Sequence, residues 1–259
     1  MRFTLSRLEY DLCWDHLGLG EQPTILSIPS HGSTAEERRA LLDDARRALA
    51  ARGLLDRGEP DPRLAGWLDL LARPEREVDA RLRLDDGPRV RAVAAARRGH
   101  AVLAVLTAES LTLSRIDETM LADAVVALLP PHQAPRSRSI SLPSADLEKA
   151  AEAAGESATR LALALRDHGV ARPDAQKVAS VLGGVVRMGQ FGAAIRPPRN
   201  GAPGPRRRGP YAVSFYDTEE GRWQFTRRPS PDGRDWSTLS PADHHRLVQS
   251  VSELLAATG

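Results

Sequence analysis

The strictest alternation of apolar and polar residues lies between Glu77 and Asp85. Apolar side chains occupy every even position of this stretch, and charged side chains occupy every odd position. A period of two puts the two sets on opposite faces of a β-strand, so the pattern predicts a strand with one buried face and one face open to solvent. Residues 85–88 (Asp-Asp-Gly-Pro) then predict a turn, and Val90 to Arg97 the returning strand.

Helical spacing of apolar residues dominates the chain before this strand. Phe3 to Leu5 predicts a short strand, and Ser6 predicts the start of a helix because Glu9 completes a Ser-x-x-Glu capping box. A second helix is predicted to begin at residues 33–34, and a third is predicted over Leu64 to Leu71. The first half therefore reads as a strand, three helices and a series of strands.

A strand–turn–strand–helix pattern occurs twice, from His100 to Leu129 and from Tyr211 to Leu255. Apolar matches in the two helical parts recur every three or four residues, which is the spacing of one buried helix face. We interpret the pattern as an internal duplication. The aligned segments are Ala101–Thr107 with Ala212–Thr218 and, after a longer turn in the second copy, Thr112–Ser114 with Thr238–Ser240.

Each copy also carries the signals of a helix start. Ser114 and Ser240 are predicted to be N-caps, because a serine hydroxyl accepts a hydrogen bond from a first-turn N–H group. Asp117 and Asp243 then place an anion in the first turn. Pro241 is predicted to occupy the first position of the last helix.

Residues 131–139 are rich in proline and serine and lie near the midpoint of the chain, so they are predicted to connect two halves. Ile140 to Leu142 then repeats the pattern of residues 3–5. Three helical stretches follow, and Val185 to Ile195 predicts either a pair of strands or one long strand with bends at Gly189 and Gly192. The second half thus repeats the element order of the first.

Composition describes an ordinary globular protein. The 259 residues are 27% charged and 41% hydrophobic, enough for a sizeable core. A formal net charge of +2 excludes a general basic-protein argument for nucleic-acid binding. Cys13, the single cysteine, lies in an apolar series and predicts an inert buried thiol in a reducing compartment. The chain lacks an apolar signal region and a run of about 18 apolar residues, so we expect a cytoplasmic protein without membrane insertion.

No motif predicts catalysis or a bound cofactor. Gly18-Leu19-Gly20 lacks the third glycine of a dinucleotide fingerprint and follows a helix, and His244-His245 lacks the glutamate of a zinc motif. We expect no catalytic, cofactor-binding or metal-binding residues. An enzyme whose acidic site is assembled in space, inside a closed pocket, stays open as a third hypothesis.

Two clusters leave alternatives open. Arg206-Arg207-Arg208 lies in a Gly/Pro/Arg-rich loop, residues 197–210, and either contacts an acidic partner or a phosphate backbone or is simply solvated. Aromatic residues in the second copy form either core or anchors for a partner on an open sheet face. These aromatic residues are Tyr211, Phe215, Trp223, Phe225 and Trp236.

A further set of motifs extends over essentially the whole chain in a fixed order. They are Phe3-x-Leu5-Ser6-x-x-Glu9, Pro23-Thr24-Ile25-Leu26, Gly32-x-Thr34-x-x-Glu37-Arg38, Arg52-Gly53-Leu54, Leu71-Ala72-x-Pro74, Asp217-Thr218-x-x-Gly221-Arg222-Trp223 and Trp236-x-Thr238-Leu239. In order and spacing the set resembles the EspG family, the ESX secretion-associated proteins of type VII secretion.

The resemblance implies an α+β fold in which two pseudo-symmetric halves share a central, mainly antiparallel sheet flanked by helical bundles. Residues 1–259 would form one EspG-like domain made of pseudo-repeats 1–135 and 136–259. It also implies a cytosolic chaperone, not an enzyme. Such a chaperone binds the PPE subunit of a PE–PPE heterodimer, or a similar helical substrate, keeps its apolar tip soluble and targets it to an ESX system, with no cofactor and no nucleic acid.

The family binds through its sheet, the loop between its early strands and its C-terminal bundle. On position alone, the predicted partner-binding residues are Asp85, Asp86, Arg89, Gln190, Phe191 and Trp223. The competing hypothesis is a module that binds nucleic acid or an acidic partner through Arg206 to Arg208.

Overall fold

The computed structural model describes residues 1–29, 34–84, 87–199, 202–230 and 233–259. The helices in these segments are α1 (Arg7–His16), α2 (Ala35–Ala51), α3 (Pro62–Ala72), α4 (Leu121–Val126), α5 (Ser144–Ala154), α6 (Ala158–Asp167), α7 (Arg172–Gly183) and α8 (His244–Ala256). The strands are β1 (Arg2–Ser6), β2 (Leu55–Asp56), β3 (Glu59–Pro60), β4 (Arg76–Arg83), β5 (Val90–Arg97), β6 (His100–Leu106), β7 (Ser110–Ile116), β8 (Ile140–Pro143), β9 (Arg187–Ile195), β10 (Pro198–Arg199), β11 (Ala202–Pro203), β12 (Arg207–Arg208), β13 (Val213–Thr218), β14 (Gly221–Pro229) and β15 (Asp235–Pro241).

Eleven of the described strands form one antiparallel sheet. From edge to edge the order is β1-β7-β6-β5-β4-β9-β13-β14-β15-β8, and β12 also pairs with β9. The strands β4 and β9 meet in the middle, in a register that runs from Arg76 opposite Ile195 to Arg83 opposite Met188. The halves of the chain are therefore joined through backbone hydrogen bonds rather than by side-chain packing alone.

Each half contributes an edge strand, three helices, the remaining strands and a last helix. The helices lie on both faces of the sheet. Val93 of β5 packs under α1–α3, and Trp223 and Leu239 of β14 and β15 pack under α5–α7 on the same face. Phe191 and Phe215 point to the opposite face, where α4 and α8 cover the centre of the sheet. This arrangement confirms the predicted α+β fold with a central antiparallel sheet and flanking helical bundles.

The predicted start of the first helix is confirmed. The Ser6 backbone N–H donates to Glu9 Oε2 at 2.7 Å, and the Glu9 N–H donates to Ser6 Oγ at 3.2 Å, which completes the capping box. The hydroxyl of Thr34 likewise accepts the Glu37 N–H at the start of α2, at 3.1 Å. Cys13 lies inside α1 and is buried, as predicted.

The predicted starts of the two later helices are wrong. Ser114 lies within β7, and both Ser240 and Pro241 lie within β15, because the strand alternation continues through these residues. The helix α4 begins after Met120 without a side-chain cap. Asp243 is the N-cap of α8 rather than a first-turn residue, and its carboxylate accepts a backbone N–H of that turn at 2.8 Å.

One part of the internal alignment also differs from the sheet. The strands β7 and β15, which carry the aligned Thr112–Ser114 and Thr238–Ser240, both lie one position in from an edge of the sheet. The segment Ala101–Thr107 is on β6, next to β7, whereas its aligned counterpart is on β13, two positions from β15. By position in the sheet, β14 is the counterpart of β6. The longer second copy contains one more strand than the alignment assumed.

Candidate docking surface

A groove follows the middle of the sheet between the two helical bundles. Its floor consists of β4 and β9, whose side chains Arg81 and Gln190, and Arg83 and Met188, are opposite each other in register. All four are exposed. Tyr216 of β13 is paired with Met188 and continues the floor toward α7. We call this surface, defined by these five residues, the central groove.

The groove contains a cavity of about 500 Å³ at the end where the β4–β5 turn begins. Four arginines line it, together with Met188, which is 38% exposed. The cavity has no carboxylate, histidine or cysteine among its described lining residues. The four arginines are Arg81, Arg83, Arg89 and Arg91.

Two groups in this cavity have shifted pKa values. Burial lowers the pKa of the Arg91 guanidinium, and the positive charges of Arg7 and Arg81 lower it further. Burial raises the pKa of Tyr216, so its phenol stays neutral in the physiological range. The cavity thus combines an excess of positive charge with a neutral, partly apolar wall.

A second cavity of about 460 Å³ adjoins the first through Arg81. Arg206 and Arg208 reach across β9 into it and form ion pairs with the carboxylates of Glu77 and Asp79. The Nε group of Arg206 donates to Glu77 Oε1 at 2.7 Å, and Nη2 of Arg208 donates to Asp79 Oδ1 at 3.2 Å. Two of the three arginines in the predicted basic patch are therefore neutralised within the chain.

These ion pairs correct two expectations. Residues 207–208 form the strand β12 on β9, so this part of the Gly/Pro/Arg-rich segment is a paired strand rather than a loop, and two of its three arginines are held by carboxylates of β4. The polar face of β4 is also not wholly open to solvent, because Glu77 is 7% exposed and Asp79 is 3% exposed under the two arginines. The pairing joins residues distant in sequence, and no local pattern predicts it.

Of the predicted partner-binding residues that the structure describes, two lie at the groove and two are buried in the core. Arg89 lines the first cavity, and Gln190 lies on its floor. Phe191 and Trp223 are fully buried, in the cores on opposite faces of the sheet, so neither side chain offers surface in the folded chain. The aromatic residue Phe215 is likewise core. Asp85 and Asp86 lie outside the described residues.

The sequence analysis missed the residues that form most of the groove. Arg81 and Arg83 belonged to the predicted polar side of β4, and that alternation was the available signal for them. Met188 and Tyr216 gave no comparable signal, because their role depends on the pairing of β9 with β4 and β13. Long-range pairing of this kind is not encoded in a local hydrophobic pattern.

The described residues do not bring together the groups that metal binding requires. Among the described residues, no three His, Cys, Asp or Glu side chains lie close enough together to hold an ion. His244 instead contacts Asp123 on α4, at 3.1 Å. In the described part of the chain, no helix has the length and hydrophobicity needed to cross a bilayer.

The sheet, the two bundles and the open groove define an α+β protein with an uncovered surface on its central strands. The family model of the EspG family matches residues 6–253. The ESX-3 secretion-associated protein EspG3 of Mycolicibacterium smegmatis is 27% identical over 257 residues, which are 96% of this chain and 86% of that protein. The ESX-1 secretion-associated protein EspG1 of Mycobacterium tuberculosis is 25% identical over 246 residues, 93% of this chain and 82% of that protein. The chain belongs to the EspG family, as the sequence motifs predicted.

A solved structure has the same architecture. The Mycobacterium tuberculosis type VII secretion system chaperone EspG5, in complex with a PE25–PPE41 dimer, matches with a TM-score of 0.75 and 15% sequence identity. The match covers 99% of this chain and 96% of that chain. At this identity the comparison establishes the common fold.

Proposed function

We propose that this protein is a cytosolic chaperone of a type VII secretion system, which binds a PE–PPE-type helical substrate through the central groove. Membership of the EspG family supports this role, as does the fold shared with EspG5, whose structure contains a PE25–PPE41 dimer. The observation that carries the proposal is the open groove itself. A surface of exposed Met188 beside half-buried Tyr216, held between two bundles, suits an apolar helical tip.

The proposed mechanism is binding without chemistry. The floor of the groove is part of an eleven-stranded sheet and is rigid, so little ordering entropy is lost when the client docks. Val186, 52% exposed, extends the apolar surface toward the C-terminal bundle. An interface of roughly 1,600 Å² in total is sufficient for a stable complex. No cofactor is needed, so competition at the secretion machinery would release the client.

Co-expression tests this proposal. The protein is produced with PE–PPE pairs, or with small helical candidates encoded beside its gene, and each mixture is analysed by size-exclusion chromatography. We expect a complex that persists at physiological salt, together with a client that is insoluble when produced alone. Absence of any complex, combined with salt-sensitive retention on a DNA column, would favour the nucleic-acid hypothesis instead.

A further inference from the structure

The four arginines of the first cavity form a compact block of like charge. Arg81 and Arg91 are directly opposite each other in the β4–β5 register, and Arg83 and Arg89 continue the same two chain segments toward the turn. Like charges directly opposite on an antiparallel pair destabilise a sheet. Such an arrangement costs folding stability. A bound anion would offset this cost by reducing the repulsion between the guanidinium groups.

The chain does not supply that anion among its described residues. Arg81, Arg83 and Arg89 form no ion pair or side-chain hydrogen bond there, and Arg91 donates only to a neutral acceptor, the Ser27 carbonyl, at 2.9 Å. The adjoining cavity differs in this respect, because its Arg208 forms an ion pair with Asp79. Among the described residues, carboxylates neutralise the arginines at one end of the groove, and none neutralises those at the other end.

The neighbours of the block indicate what kind of anion fits. Met188 is opposite Arg83 in the β4–β9 register and opposite Tyr216 in the β9–β13 register, so an apolar wall directly adjoins the charges. Tyr216 packs against Phe225, with ring centroids 6.2 Å apart, and the described lining of the cavity contains no second aromatic ring on which successive bases could stack. A protein segment that carries both apolar and carboxylate side chains matches this combination better than a nucleic-acid strand.

We propose that the four-arginine cavity binds carboxylate side chains of the client, so that the client tip presents Asp or Glu residues beside the apolar side chain that covers Met188. This inference rests on the proposed chaperone function and specifies which helical tips the protein accepts. Charge complementarity of this kind acts mainly on association rate and on partner choice. A client whose tip is apolar but basic is rejected.

The test compares two double variants of equal charge. R83Q/R89Q removes two charges from the cavity, and R2Q/R39Q removes two exposed arginines on β1 and α2 that form no ion pair in the described part of the chain. Association with the purified PE–PPE heterodimer is measured by surface plasmon resonance at about 50 mM and about 500 mM NaCl. We expect R83Q/R89Q to slow association about tenfold at low salt and to reduce its salt dependence, and R2Q/R39Q to change the rate less than about twofold.

A stability measurement separates a binding role from a structural one. Relief of like-charge repulsion predicts that R83Q/R89Q unfolds at the same urea concentration as the wild type or at a higher one. A lower midpoint would overturn the inference, because it would show that the arginines hold the fold together.

The remaining outcomes separate this inference from the proposed function. Equal association rates for both double variants, with a wild-type complex intact, would overturn the carboxylate site and leave the chaperone function standing. No wild-type complex would overturn both. Loss of single-stranded DNA binding in R83Q/R89Q, without any client complex, would assign the cavity to phosphates instead.

Discussion

The guanidinium of Arg222 donates to both oxygens of the Asp217 carboxylate, from Nε at 2.7 Å and from Nη2 at 2.9 Å. Both residues are buried, Arg222 at 1% exposure and Asp217 at 0%. The Nη2 group also donates to the Pro130 carbonyl at 2.8 Å, and the Arg222 N–H donates to the Gln133 carbonyl at 2.7 Å. The β13–β14 hairpin is thereby fastened to the segment that connects the two halves.

This buried pair predicts a large effect of a small substitution. Asp217→Asn leaves the Arg222 guanidinium buried without its counter-charge, which costs about 3–5 kcal/mol of unfolding free energy. Urea denaturation measures the loss. The matched control is Glu220→Gln in the same hairpin, where the exposed Lys177–Glu220 pair contributes about 1 kcal/mol or less. Equal losses in the two variants would contradict the structural role of the buried pair.

A second prediction concerns Gly192, which lies beneath the guanidinium of Arg208. A Cβ atom at this position would lie 2.5 Å from Arg208 Nη2 and 3.1 Å from Asp79 Oδ2. Gly192→Ala is therefore expected to displace Arg208 from Asp79 and to loosen β12 from β9. Hydrogen exchange at the Gly209 amide, which donates to the Ala193 carbonyl at 2.9 Å, should accelerate about tenfold.

The control for this substitution is Gly66→Ala in α3, where an added Cβ has no atom within 4 Å. That variant should leave exchange at Gly209 unchanged. Unchanged exchange in Gly192→Ala as well would mean that β12 does not depend on the Arg208 pair.

The third prediction follows from Cys13. Burial raises the pKa of its thiol to about 12, and the nearby Glu9 carboxylate adds to the increase. The native protein should not react with a thiol reagent near pH 8, whereas the unfolded chain should react fully. Rapid labelling of the native state would contradict the burial.

The same shift has a consequence for stability at alkaline pH. The folded pKa exceeds the ordinary value of 9.0, so this contribution to stability is complete below pH 9 and is lost as the pH rises toward about 12. Burial raises the pKa of Tyr10 in the same direction. Cys13→Ala should therefore flatten, without abolishing, the fall of unfolding free energy above pH 9. If unfolding free energy fell equally steeply with pH in Cys13→Ala and in the wild type, the raised pKa of the Cys13 thiol would be contradicted.

Local signals predicted the elements well, because each depends on neighbours in sequence. The Ser6–Glu9 capping box and the alternation of β4 involve residues only a few positions apart, and both the helix start and the strand itself are confirmed. The helix starts at Ser114 and Ser240 were wrong, since a serine that suits an N-cap also suits a strand. The internal duplication stays a prediction.

The candidate site was less predictable than the fold. Its floor depends on the β4–β9 pairing. This pairing brings Arg83 beside Met188, although the two residues are about a hundred positions apart in sequence. The role of Trp223 could not be predicted from its residue type, because an aromatic side chain suits both a buried core and a binding anchor. Its packing under α5–α7 identifies it as core. Arg89 and Gln190 were predicted on position alone, in the loop and the sheet through which the family is expected to bind.

The central claim is that the client docks on the central groove, and the affinity of a groove variant tests it most directly. Met188→Asp places a charge on the apolar floor, and Met120→Asp is the control, since Met120 is 45% exposed and precedes α4 on the opposite face. Isothermal titration with the PE–PPE heterodimer should show affinity reduced about a hundredfold or more for Met188→Asp, because the new carboxylate removes the apolar contact with the client and, opposite Arg83, competes with the client for the arginines of the cavity. Met120→Asp should bind as the wild type does. Wild-type affinity in Met188→Asp would contradict docking on this groove.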